Sequence, residues 1–171
     1  MYAMGKCVLA SYGVCKDVIN EMDELFLKTA VKSHLSTVPC EEIAEKLIEM
    51  TERKIDLLDL CATVKKAFGK LSEQPKKYLL YKFFNRRYRE IDDIKNTRKY
   101  FRRQLSAIAK FSEELEKAGL TEKEFNERFL KFAFLADKYA EFSKKQAIAR
   151  SLPSSCYKVK GGIGMISSVN L

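Results

Sequence analysis

The sequence predicts an all-α protein: a long N-terminal helical hairpin packed with a short three-helix segment and a long C-terminal helix. Three observations carry this. The composition favours helix formers, with only 7 Gly and 3 Pro in 171 residues. Apolar residues recur at spacings of three and four over most of the chain. Clusters of cap formers and breakers fall between those stretches, and Gly13, inside the first of them, weakens that helix slightly. A hydrophobic content of 46% with 11% aromatics is sufficient for a packed core.

Residues 6–33 place Val8, Tyr12, Cys15, Ile19, Met22, Phe26 and Ala30 on one helical face. The break HLSTVPC at 34–40 offers Ser36 and Thr37 as cap formers and Pro39 for a first turn. A second helix should run from about Pro39 to Leu71, with Ile43, Leu47, Ile48, Ile55, Leu58, Cys61, Val64 and Phe68 as its apolar positions. Glu41, Glu42 and Glu45 sit near its start and Lys65, Lys66 and Lys70 near its end, both favourable for the helix dipole. Two such helices joined by a short loop form an antiparallel hairpin over residues 1–73.

GKLSEQP at 69–75 punctuates the chain. Pro75 can open the helix KKYLLYKFFN, closed by Arg86 and Arg87. YREIDDI then reads as a short helix, Lys95–Asn96 as a turn and Thr97 as the N-cap of a third helix from Arg98 to Ala118. Its expected apolar seat is Phe101, Leu105, Ile108 and Leu115, and Gly119 stands where a terminating glycine belongs. Thr121 and Glu124 have the spacing of a capping box. The aromatic-rich helix that follows, within 120–152, should run unbroken to about Ala149 as core or subunit interface. Residues 153–171 show no periodicity, and a disordered tail is expected.

The charge is segregated. Residues 74–119 carry 13 Lys and Arg against 6 Asp and Glu, a net +7 of the chain's +9. A basic chain with a pI near 9.3 calls for an anionic partner. No apolar run is long enough to span a membrane and the start is too broken for a secretory signal, so a cytoplasmic protein without a membrane partner is expected. The cysteines, Cys7, Cys15, Cys40, Cys61 and Cys156, form no CxxC pair, which argues against a disulfide framework and a zinc site. Cys7, Cys15 and Cys61 read as small buried hydrophobes. The lone His34 sits in a loop, no nucleophile triad or nucleotide loop is present, and GGIG at 161–164 lacks the flanking strand and helix of a phosphate loop. No enzyme activity, catalytic residue, metal or cofactor is expected.

A helix that reads DNA needs an apolar seat, long basic or amide side chains near its N-terminus, and a preceding helix and turn that set its angle. Residues 88–105 offer all three. Arg98, Lys99, Arg102, Arg103 and Gln104 cluster in the first two turns, where Arg suits guanine and Gln suits adenine. Arg86, Arg87, Arg89 and Lys95 precede them, placed for backbone phosphates. YREIDDI–KNTRKYFRRQL resembles the helix-turn-helix in region four of bacterial sigma factors of the seventy-kilodalton type. Tyr88, Glu90 and Ile91 match its first helix, Thr97 and Arg98 stand where Ser-Arg is usual, and Leu105 matches its last anchor. The turn is one residue shorter than in that family, Asp92 replaces a small Ala, and the chain has no Trp. The resemblance implies a sequence-specific binder of double-stranded DNA that regulates transcription, of phage or mobile-element type, with RNA polymerase as a candidate further partner. A homodimer through the apolar helices fits the same plan. The alternatives are a phage-type DNA packaging or recognition subunit and a helical adaptor for an acidic protein partner.

Overall fold

The structure, a computed structural model, describes residues 2–33 and 37–151, with the side chains of 149–151 excepted. His34, Ser36, Cys156 and the 153–171 tail lie outside the described residues. The chain is all-helical, with seven helices among the described residues: α1 (Tyr2–Lys32), α2 (Cys40–Lys70), α3 (Glu73–Phe84), α4 (Arg89–Asp92), α5 (Arg98–Lys117), α6 (Glu122–Phe129) and α7 (Ala133–Ser151).

α1 and α2 form the expected long hairpin, and α1 also packs against α5 and α7. Its first half is the centre of the molecule. Ala3, Met4, Cys7, Val8, Leu9 and Cys15 are buried, so the helix starts at Tyr2 and not near residue 6. A helix enclosed on several sides needs no single stripe, which is why the periodicity begins too late to mark this start. Gly5 lets α5 approach closely: a Cβ there would lie 2.2 Å from Ser112 Oγ.

In α2 the buried positions are Leu57, Leu60, Cys61, Val64 and Ala67. Ile48, Ile55 and Leu58, expected in the core, are exposed at 58%, 56% and 47%. The helix carries two apolar stripes, and only the one through Cys61 and Val64 meets α1 and α5. Pro39 is the N-cap residue, without a side-chain hydrogen bond, so Thr37 does not take that place.

α5 ends at Gly119, whose φ of +102° is glycine's territory. Gly119 N–H donates to the Glu116 carbonyl (3.0 Å) and Leu120 N–H to the Leu115 carbonyl (3.0 Å), the paired closure expected of a glycine-terminated helix. Thr121 Oγ1 then caps α6 by accepting from Glu124 N–H (3.2 Å). The expected single C-terminal helix is two. The chain turns between α6 and α7 so that Phe125, Phe129, Phe132 and Leu135 all reach the core. No Pro or Gly marks this break; packing sets it. Arg128 fastens α6 to α2, donating to Asp56 (2.8 Å), Asp59 (2.8 Å) and Glu124 (3.0 Å), while Lys131 donates to Asp56 (2.6 Å).

Candidate nucleic-acid interface

α3 ends in a sharp reversal. Asn85 takes the left-handed conformation (φ 52°) and the Arg86 N–H closes on the Leu80 carbonyl (3.2 Å). This delivers Arg86, Arg87 and Arg89 to the surface ahead of α4, all three exposed. The four-residue α4 is anchored by buried Ile91 and half-buried Ile94. α4 and α5 do not merge. Asn96 is left-handed (φ 67°), and Thr97 Oγ1 accepts from Tyr100 N–H (3.2 Å) while donating to the Ile94 carbonyl (2.6 Å). A left-handed residue followed by a capped start separates the helices.

The seat of α5 differs from the expectation. Phe101 and Leu105 are exposed, at 49% and 51%, whereas Tyr100, Gln104, Ala107, Ile108, Phe111 and Leu115 are buried. Tyr100 packs between Tyr78 (centroids 5.9 Å) and Tyr81 (6.1 Å) of α3. Gln104 is 6% exposed, and its Nε2 donates to the Tyr100 hydroxyl (2.8 Å). This bond lies within α5, one turn along, and the buried amide faces inward and not toward a base. Arg103 is exposed, but its Nη1 donates to the Tyr78 hydroxyl (3.2 Å), which ties its head to α3. The Tyr81 hydroxyl donates to Asp92 (3.0 Å), and Asp92 also meets Lys95 (3.5 Å). Burial, with Tyr81 next, raises the Tyr100 phenol above its ordinary value; the Asp92 carboxylate raises that of Tyr81. Both hydroxyls therefore stay protonated, as their donor and acceptor roles require.

Outward, Arg98, Phe101, Arg102 and Leu105 fall at i, i+3, i+4 and i+7, one exposed stripe of α5. Lys99 lies beside it, also exposed. Among the described residues, Arg86, Arg87, Arg89, Arg98, Lys99 and Arg102 make no ion pair. The first turn of α5 contains no acid, whereas α2 and α6 open on Glu41 and Glu42 and on Glu122 and Glu124. Of the nine residues expected to meet DNA, eight are thus at the surface and Gln104 is not. Phe101 and Leu105 take its place on the outer face. No group of His, Cys, Asp and Glu among the described residues could hold a metal ion. None of the described helices is long and apolar enough to cross a membrane.

Comparison with protein-family models, with curated proteins and with solved structures finds no match.

Proposed function

We propose that the chain binds double-stranded DNA by setting the first half of α5 into the major groove, and that it acts in transcription regulation. The observation that carries this reading is the start of α5: Arg98 and Lys99 at the positive end of a 20-residue helix dipole, with no acid in the first turn and no ion pair among the described residues. Cations there are unfavourable in the free protein by about 0.3–1 kcal/mol each. A phosphate at that end reverses the sign, because backbone N–H groups, the dipole and both side chains then face an anion. Arg98 and Arg102 are the base-reading candidates, with Phe101 and Leu105 beside them for thymine methyl groups. Arg86, Arg87, Arg89 and Lys95 would follow the phosphates on the approach side.

Fluorescence anisotropy on a labelled duplex, titrated with salt, tests this. The double variant Arg98→Ala, Arg102→Ala should weaken binding by about 1–3 kcal/mol for each base no longer read. It should also flatten the salt slope by about 0.9 for each phosphate no longer neutralised. Lys123→Ala, an exposed site on α6, is the control. No binding of random duplex at low salt up to about 10⁻⁴ M would reject the reading and leave an acidic protein as the partner.

A second copy is the further partner we propose. Ala44, Ile48, Thr51, Ile55, Leu58 and Ala62 follow one another on α2 at alternating spacings of four and three, and all are exposed. That is the heptad seam of a coiled coil, with Ile at two a positions and Leu at a d position.

A further inference from the structure

Where α1, α2 and α3 meet, the surface opens into a cavity of about 500 Å³. Its floor is apolar, made by Tyr12, Val64, Phe68, Leu80 and Phe84. The rings stand edge to face, Tyr12 to Phe84 at 5.9 Å and Phe68 to Phe84 at 6.3 Å, so ring surface is held open instead of collapsing into one stack. Its rim is cationic: Lys16 from α1, Lys65 from α2, Lys76 from α3 and Arg86 just beyond it. Among the described residues, no carboxylate lines it. Lys76 leans on exposed Glu73 (3.4 Å), and Lys16 lies over the Tyr12 ring (5.0 Å); Lys65 and Arg86 make no ion pair among the described residues. Gly69 completes the wall, and a Cβ there would meet nothing within 4 Å.

Ligand sites of about 300–1,000 Å³ with an apolar floor and a few charged groups at the edge take small organic molecules. Aromatic floor and four cations select an anion that also carries an apolar body, since neither feature alone is served by an inorganic ion or a neutral hydrocarbon. We infer that this cavity is a binding site for a small organic anion, its apolar body on Phe68, Phe84 and Tyr12 and its carboxylate or phosphate among Lys16, Lys65 and Arg86. One helical turn along α2 the Cys61 thiol is held below its ordinary value, first by its hydrogen bond with Cys15 and then, against desolvation, by the charges of Lys16 and Lys65. Arg86 belongs also to the candidate DNA face. Binding of the anion is measured without DNA, so failure of either proposal leaves the other standing.

The test uses the full chain and 1-naphthyl phosphate, followed by titration calorimetry at low salt. Saturable one-to-one binding is expected, with neutral 1-naphthol and inorganic phosphate each weaker by about tenfold or more, because each lacks half of what the cavity offers. Lys65→Ala and Lys16→Ala remove exposed side chains and should each weaken binding several-fold. Gly69→Leu has room in the folded protein and should obstruct the cavity, while Lys123→Ala should change nothing. The proposal is overturned if naphthol or inorganic phosphate binds as well as naphthyl phosphate. It is also overturned if Lys123→Ala weakens binding as much as Lys65→Ala, which would mean diffuse charge attraction. Absence of saturation, or undiminished binding in Gly69→Leu, removes the site altogether.

Discussion

Gly5 shows how much one hydrogen atom can decide. It sits in the first turn of α1, where alanine would ordinarily favour the helix by about 1 kcal/mol. The nearest atom to an added Cβ is Ser112 Oγ, at 2.2 Å, with Ser112 Cβ at 3.4 Å and Phe111 Cδ1 at 3.8 Å. Ser112 is fully buried and its hydroxyl donates to the Ile108 carbonyl (3.0 Å), so it has little freedom to turn away. Gly5→Ala should therefore destabilise by about 1–3 kcal/mol, the usual cost of overpacking a core. Adding Ser112→Ala removes the clashing oxygen and should restore most of the stability. Urea midpoints of the single and double variants decide this; a stable single variant would mean that α1 and α5 do not approach so closely. At the same scale, Gln104 shows what a sequence hides. An amide among arginines reads as a recognition residue, and only the Tyr100 hydroxyl beside it makes its burial tolerable. The partner for that hydroxyl cannot be known before the face of α5 is known.

Element boundaries were largely legible because their causes are local. The Pro39 start of α2, the Thr97 and Thr121 caps and the Gly119 stop each depend on a few neighbouring residues. Faces were less legible, because they depend on distant partners. α5 offers two apolar stripes, one through Phe101, Leu105 and Ile108 and another through Tyr100, Ala107 and Phe111, and periodicity alone cannot rank them. The packing of Tyr78 and Tyr81 on Tyr100 does. The division between α6 and α7 was hidden for the same reason. Arg128 and Lys131 hold that region to α2, and this gives a pH prediction. Burial works to raise the Asp56 carboxyl, but hydrogen bonds from Lys131 and Arg128 outweigh it and hold the group below its ordinary value. A carboxyl lowered by folding contributes stability that is present above its unfolded value, about 3.9, and is lost as the pH falls through the folded value. Between pH 5 and roughly pH 2.5 the urea midpoint of the native chain should fall further than that of the double variant Arg128→Met, Lys131→Met. Parallel curves would mean that the cluster is too well solvated to matter.

At the scale of the molecule, two features separate along its length. The basic residues gather on α3 to α5, while the far part of the hairpin carries no buried side chain among the described residues: in α1 the last is Ile19, and in α2 the first is Leu57. Thirteen residues of α1 beyond Ile19 and most of α2 before Leu57 thus extend past the core, with Leu25, Leu27, Ile48 and Ile55 exposed. A two-helix arm buries too little to account for so much apolar surface. The seam from Ala44 to Ala62 spans about 27 Å, enough for a helix pairing of five turns. Joining two copies there would bury Ile48, Ile55 and Leu58 and place two α5 helices on one particle, and two linked DNA-reading units gain avidity without any new interaction. Light scattering after size exclusion should therefore report a dimer that the double change Ile48→Glu, Ile55→Glu converts to a monomer, with helix content by circular dichroism retained because neither residue is in the core. Duplex binding by the monomeric variant should persist at reduced affinity. A native chain that is monomeric at about 100 μM, well above the range of a stable homodimer, would remove the arm as a self-association surface. A large ring would instead favour a packaging subunit over a regulator.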